Sequence, residues 1–335
     1  MSTTYLLKRL LWALPTLFGV AVVVFVLLRV VPGDPIAMMI PPGATTDDIQ
    51  RLRHFYGLDT SIPEQFGVWL SQILEGQFGN SISLREKVMA LVLGKLPATL
   101  ELVFFALIIA TLLGVLLAVA AVYFRPHWPE LVIDGFAGVS LAMPDFLWAL
   151  VFILVLGVLY PVLPISGRLD PGMAFEPQTG FYLIESVLRG QFAVARELLR
   201  HLLLPGLALA LPLAAGLTRV LKASLLEAMK QDYVTLARVK GYSKARILWR
   251  VALRNALIPA LTLTGVQFTF LVGGTVLIEF IFAYPGIGNL AIGAVIQRDL
   301  PLLQGLVLTF AVLFIATNLC VDIACTLLNP RVRQA

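Results

Sequence analysis

Charge is scarce in this 335-residue chain: only 13% of residues are Asp, Glu, Lys or Arg, against 59% hydrophobic. A water-soluble domain needs more charge than that to cover its surface, so the composition excludes one and indicates an integral membrane protein. Histidine and cysteine are nearly missing. The three histidines, His54, His127 and His201, fall in three separate segments, which leaves no metal-ligand cluster. The two cysteines, Cys320 and Cys325, lie in one apolar run. Five residues apart on a helix, they point about 140° from each other, so they form neither a disulfide nor a metal pair. Their reading is small packing residues.

Catalytic motifs are missing too. The Gly94-Lys95 pair continues as Leu96-Pro97, with no glycine-rich loop before it, so no phosphate-binding P-loop is present. H-E-x-x-H and G-x-S-x-G do not occur. The chain is therefore expected to be no enzyme in itself, with no catalytic residue, no metal and no cofactor of its own. The net charge of +5 comes without a nucleic-acid-binding motif. It is read as the basic excess of cytoplasmic loops, and nucleic acid is not an expected partner.

Long apolar runs are what the chain has. A spanning helix needs roughly 20 apolar residues. Candidates lie at 10–31, 98–122, 132–160, 201–221, 256–283 and 301–328. This predicts an all-α membrane protein of six transmembrane helices, the first being an uncleaved span rather than a signal peptide. The third and sixth runs are long, which implies tilt or an interfacial extension. With both termini inside, the inner segments 1–9, 123–131, 222–255 and 329–335 hold 13 Lys/Arg in 59 residues. The outer segments 32–97, 161–200 and 284–300 hold 10 in 123, against 12 Asp/Glu. That asymmetry orients the termini and the 222–255 loop toward the cytoplasm in a multi-pass membrane protein.

The organisation expected is a tail and first span over 1–31, an extracytoplasmic helical loop over 32–97, and a five-helix core over 98–335. Short amphipathic helices are predicted at Thr46 to Phe55, Pro63 to Leu74 and Ser83 to Leu93, broken by Gly76, Gly79 and Asn80. Turns are expected through 161–180, followed by a short amphipathic stretch near 181–199. These loops either cap the outer mouth of a pore or simply cover helix ends. Charged groups in or beside spans are Arg29, Glu101, Asp134, Asp145, Arg219, Glu279 and Asp322. Arg29, Glu101, Asp134 and Arg219 are placed near span ends, where they can snorkel. The deeper Asp145, Glu279 and Asp322 either pair helices or serve an ion-coupled carrier as a relay.

One segment departs from the rest. YVTLARVKGYSKARILWRVALRNALIP, Tyr233 to Pro259, carries Arg238, Lys240, Lys244, Arg246, Arg250 and Arg254 and no acid. Residues 222–240 contain good helix formers and no Gly or Pro. Gly241 interrupts, and Ser243 is the expected N-cap of a second helix over about 244–257. Ile247, Leu248, Val251 and Ala252 form an apolar stripe there, opposite a basic stripe of Arg246, Arg250 and Arg254. The loop reads as two helices with a glycine corner. It is either a charge belt against anionic lipid or a docking lever for a soluble partner.

The stretch resembles the cytoplasmic coupling loop of ABC importer permeases, the EAA loop: E-A-A, three residues, G, nine residues, I-x-L-P. Ala237, Gly241 and Leu253 match, and Val251 stands at the isoleucine position. Thr235 replaces the glutamate, Leu236 the first alanine and Arg254 the proline. The match is fuller to the peptide-permease branch. Its D-Y-x-x-x-A-R-x-K-G corresponds to Asp232, Tyr233, Ala237, Arg238, Lys240 and Gly241. Its A-L-R-N-A-x-x-P corresponds to Ala252, Leu253, Arg254, Asn255, Ala256 and Pro259. VPGDP (31–35), YGLD (56–59), GQFGNS (76–81), PATLEL (97–102), FAYPGIG (282–288), RDLP (298–301) and NPR (329–331) resemble that branch in the same order.

The chain is thus similar to the first permease subunit of the dipeptide/oligopeptide/nickel importer family. The resemblance implies a type I ABC importer permease fold. It also implies a second homologous permease, two cytoplasmic P-loop ATPases that hold ATP and Mg²⁺, an extracytoplasmic solute-binding protein and a lipid surround. Di- or oligopeptides are the expected cargo, moved by alternating access. The loop is expected to couple to an ATPase, with Gly241 as the small contact corner. The outer loops 32–97 and 284–300 are expected to meet the binding protein.

Overall fold

The computed structural model describes residues 3–30, 45–55 and 59–328. VPGDP, Tyr56–Leu58 of YGLD and the final NPR lie outside the described residues, as do the side chains of Arg29, Pro259 and Asp322. The described chain is helical and contains no β-strand, only an isolated bridge between Asn80 and Lys87.

The helices are α1 (Thr3–Val30), α2 (Thr46–Phe55), α3 (Ile62–Leu74), α4 (Val88–Tyr123), α5 (Trp128–Ala142) and α6 (Asp145–Phe152). They continue as α7 (Tyr182–Leu188), α8 (Phe192–Ala228), α9 (Asp232–Val239), α10 (Lys244–Arg246), α11 (Leu253–Ile281), α12 (Ile287–Ile296) and α13 (Leu300–Leu328). Wider π-helical turns extend α6 over Ile153–Leu159 and join α10 to α11 over Ile247–Ala252. Among the described residues, Val88–Tyr123, Phe192–Ala228 and Leu300–Val321 are each long and apolar enough to cross a membrane. Shorter apolar stretches lie at Leu11–Val26 in α1 and Phe270–Ile281 in α11.

Several boundaries differ from the sequence reading. The third apolar run is two helices, α5 and α6, bent by 107°. Met143 and Pro144 make the break, with ψ of 126° and 151°. A residue before proline is sterically pushed out of the helical region, and hydropathy alone does not register that. Ser83 to Leu93 is no separate helix: a turn precedes Val88, and α4 then runs on to Tyr123. The amphipathic stretch near 181–199 is α7, a three-residue break, and the first turns of α8. Because α8 also extends to Ala228, Arg219 lies nine residues inside its helix rather than at a span end.

The chain divides into two compact units. The first holds Pro97–Asn289 and the end of α13 from Ala316. Its centre is α8, which packs against α5, α6, α7 and α11. Small residues let backbones approach closely there, as membrane helices require. Ala110 on α4 meets Ala210 and Ala214 on α8 in one cluster. A Cβ on Gly114 would stand 2.8 Å from Leu217, and one on Gly206 2.6 Å from Phe105.

The second unit holds the chain up to Leu96 and Leu290–Ile315. Here α3 packs on α1 through rings, with Phe66 edge-on to Phe18 and Phe25 at 5.9 and 5.2 Å. The α3 start carries a backbone N–H of Ser61 donating to Glu64 at 3.0 Å, half of a capping box. The α12–α13 turn is tied to the 79–87 loop through Asp299, whose carboxylate accepts from Ser81 and Ser83.

Candidate coupling loop

The basic loop begins where α8 ends. Residues 222–240 are not one helix: the chain turns at Met229–Gln231, and α9 starts at Asp232. The Gln231 carbonyl accepts from the Val234 and Thr235 amides at 3.0 and 3.3 Å. Asp232 sits in the first turn of α9 and Arg238 in its last, each complementing the local end of the helix dipole.

The corner after α9 is a closed hydrogen-bonded turn. The Gly241 amide donates to the Arg238 carbonyl at 2.9 Å, and the Tyr242 amide to the Ala237 carbonyl at 3.2 Å. This pair of bonds is the Schellman termination, which needs a left-handed residue at its centre. Gly241 supplies it with φ +74°, where a side chain would be strained. A Cβ at Gly241 would meet nothing within 4 Å, so the glycine answers to backbone conformation and not to crowding within this chain. Two residues on, the Ser243 hydroxyl accepts from the Arg246 amide at 3.3 Å, the N-cap its position predicts.

The returning helix buries one face. Val234, Ala237 and Ile247 form a small core under the corner, with Met229 and Val251 packed against it. Leu248, Ala252, Leu253 and Ala256 join a larger cluster with Val119 and Val122 of α4 and Leu221 and Leu225 of α8. The corner is therefore seated on the ends of two long helices. Lys244 fixes it further: its ammonium donates to the Tyr123 carbonyl at 2.6 Å and lies 5.4 Å from that ring. Tyr123 ends α4, so this cation sits at the negative end of a helix dipole.

The opposite face is exposed. Arg246, Arg250, Arg254 and Asn255 point away from the core, and Arg246 stacks over the Tyr242 ring at 4.2 Å. The Asn255 amide turns back to the Val251 carbonyl at 3.4 Å. On α9, Asp232, Tyr233, Arg238 and Lys240 are exposed. Leu236 and Val239 beside them are 55% and 81% exposed. The motif residues thus fall into two sets. Ala237, Val251, Ala252 and Leu253 hold the corner to the long helices. Asp232, Tyr233, Arg238, Lys240 and Gly241 form its outward surface, with Arg254 and Asn255 further along. The anchor Lys244–Tyr123 and the exposed Leu236 and Val239 are additions from the structure. An unpaired apolar pair on a basic hairpin was the available signal for the last two.

Two of the deep acids, Glu279 and Asp145, lie among the described side chains. Glu279 is fully buried, and its carboxylate accepts from the Thr99 hydroxyl at 2.7 Å and from the Gly288 and Asn289 amides at 2.7 and 3.1 Å. It closes the first turn of α12, where free amides need acceptors. Asp145 opens α6 and accepts from the Phe146 amide at 2.8 Å. Glu101, expected near a span end, is buried in an ion pair with Arg168 at 2.6 Å and also accepts from the Leu183 amide at 2.9 Å. Asp134 pairs with Lys222 at 2.6 Å.

A family profile described as "Binding-protein-dependent transport system inner membrane component" matches residues 110–334, and the corresponding N-terminal profile matches residues 2–103. The chain is 39% identical to the "Di/tripeptide transport system permease protein DppB" of Pseudomonas aeruginosa, covering 99% of each chain. It is 36% identical to the "Dipeptide transport system permease protein DppB" of Haemophilus influenzae, covering 98% of this chain and 99% of that one. The protein of the same name from Alkalihalophilus pseudofirmus is 32% identical over the same shares. The chain belongs to the family of binding-protein-dependent transport system inner membrane components, as an ABC-importer permease.

Proposed function

We propose that this permease is one of two homologous pore-forming chains of an ATP-driven importer of di- and oligopeptides. Two cytoplasmic P-loop ATPases hold ATP and Mg²⁺, and an extracytoplasmic binding protein delivers the peptide. The names of the similar permeases support the cargo class. This chain binds no cofactor in this scheme and performs no chemistry. The segments 32–97 and 284–300 face the binding protein, and both termini face the cytoplasm.

The observation that carries the reading is the capped corner at Gly241. It is short, closed by two hydrogen bonds, seated on α4 and α8, and edged by exposed Tyr233, Leu236 and Val239. An apolar edge among cations suits a protein cleft, because attraction to anionic lipid needs charge alone. When the ATPases close on ATP, the corner moves as a rigid body. Its seat on α4 and α8 passes that motion to the spans and switches access.

Gentle solubilisation from the native membrane, followed by mass spectrometry of what co-purifies, tests the assembly. Two P-loop ATPases and a second permease are expected. Recovery of the chain alone in several mild detergents would overturn it.

A further inference from the structure

Arg219 is a cation inside a long apolar helix with no partner among the described residues. It projects from α8 nine residues before the helix end and is exposed, with no ion pair or hydrogen bond among the described residues. Its depth follows from its neighbours. The Thr218 hydroxyl lies 3.4 Å from the Gly114 carbonyl, and Leu217 packs on Gly114. Arg219 is thus level with Gly114 and Val115 of α4, about 13 Å along the helix from Tyr123. No charged residue occurs in α4 between Leu102 and Tyr123. An arginine at that level belongs on a water-filled path rather than against lipid.

Arg219 lines a concavity with Asp134, Thr218, Lys222 and Leu226. The other charges there are already matched. Lys222 donates to Asp134 at 2.6 Å and pairs with Glu130 at 2.7 Å, and Arg125 stands 3.8 Å from Glu130. Arg219 is the one cation lining the concavity without a counter-ion among the described residues. Further along the same α5–α8–α11 seam, a Cβ on Gly216 would stand 2.7 Å from the Gln267 amide. The Ser140 hydroxyl is fully buried and has no hydrogen-bond partner among the described residues.

We infer that Arg219 is a carboxylate-binding subsite on the translocation path, and that the group it takes is the free C-terminal carboxylate of the moving peptide. A guanidinium presents two parallel N–H donors that match a carboxylate. Lys222 and Arg125 together balance Glu130 and Asp134, so the charge left over is the positive charge of Arg219. The site is weak enough to release its ligand, since one exposed guanidinium is not a closed cage. This inference rests on the peptide-importer reading given above.

The test uses the assembled importer in proteoliposomes with its binding protein. Uptake of a dipeptide is compared with uptake of the same dipeptide amidated at its C-terminus, each at a concentration that saturates the binding protein. Wild type, Arg219→Gln and Arg219→Lys are measured. The expected result is at least a tenfold loss of free-dipeptide uptake in Arg219→Gln. Uptake of the amide is unchanged, and Arg219→Lys falls between wild type and Arg219→Gln, because it keeps the charge but not the two parallel N–H donors. Equal loss for both solutes would overturn the inference in favour of a structural role. Loss of the second permease from purified Arg219→Gln complexes would overturn it in favour of an inter-subunit ion pair. Unchanged uptake by Arg219→Gln would overturn it outright. If wild type imports neither solute while its ATPase still responds to the binding protein, the peptide reading itself fails and the subsite with it.

Discussion

The Ser81 hydroxyl donates to the Asp299 carboxylate at 2.5 Å across 218 residues of sequence. The same oxygen accepts from the Ser83 amide and hydroxyl at 3.0 and 2.7 Å, and the other oxygen from the Leu302 amide at 3.2 Å. One carboxylate therefore closes the start of α13 and pins the loop before α4. Burial pushes the Asp299 carboxyl up, but the hydrogen bonds from Ser81 and then Ser83 outweigh it and hold it below its ordinary range.

A group whose folded pKa is lowered adds stability above its unfolded pKa, about 3.9 for Asp, and loses it as pH falls through the folded value. Asp299→Asn is expected to cost about 1–3 kcal/mol at pH 7, seen as a lower Tm of the detergent-solubilised protein. The gap from wild type narrows as pH is taken from 7 to below 4. A gap that stays constant with pH would contradict the charge-based tie.

Gly288 and Gly286 serve Glu279 by lacking a Cβ. A Cβ on Gly288 would stand 2.6 Å from the Val276 Cα, which is backbone and does not yield. One on Gly286 would stand 2.3 Å from the Glu279 carboxylate. At Gly273, one turn away on α11, a Cβ would meet nothing within 4 Å. Overpacking costs about 1–3 kcal/mol, so Gly288→Ala and Gly286→Ala should lower Tm and membrane yield while Gly273→Ala does not. Equal tolerance at all three would contradict the cradle.

Breaking the Glu101–Arg168 pair on one side leaves a buried charge. Both side chains are less than a tenth exposed, and Arg168 also donates to the Gly180 carbonyl at 2.8 Å and stacks on Tyr182 at 3.8 Å. Arg168→Met alone is expected to cost about 3–5 kcal/mol, and Glu101→Leu with Arg168→Met to recover much of it. Thermal unfolding of the single and double variants measures this. A double variant worse than the sum of the singles would refute it.

How far the sequence showed this in advance differs by element. Ser243 as a cap and Gly241 as a corner were legible because caps and left-handed turns depend on one or two residues in local sequence. The stripe of Ile247, Leu248, Val251 and Ala252 was legible because helical periodicity is local too. The 107° break at Met143–Pro144 was not, since hydropathy counts apolar residues and is blind to direction. Nor was the pairing of Glu101 with Arg168, 67 residues apart, or of Ser81 with Asp299. Yet the short motifs that carried the family resemblance meet at these ties: GQFGNS with RDLP through Ser81 and Asp299, and PATLEL with FAYPGIG through Thr99, which also donates to Glu279 and accepts from the Ile287 amide at 2.9 Å. Each motif holds one half of a contact, and one sequence alone does not say which halves belong together.

Ser243 tests the corner gently. Losing its hydroxyl frees the Arg246 amide and should cost about 1 kcal/mol. Ser243→Ala is expected to assemble and transport, with faster amide exchange confined to 243–247. Ser243→Asp keeps the cap and should restore protection. Exchange that is unchanged in Ser243→Ala would show that the cap contributes nothing.

The coupling role of the corner is tested most directly at Gly241. Gly241→Trp places an indole in space that is open within this chain, at a backbone strain of about 1 kcal/mol, which the seated corner tolerates. The account predicts that the variant reaches the membrane and co-purifies with its ATPases. Those ATPases still hydrolyse ATP, but peptide uptake stimulated by the binding protein is lost. Uptake per ATP hydrolysed equal to that of wild type would contradict the assignment of this loop as the coupling element.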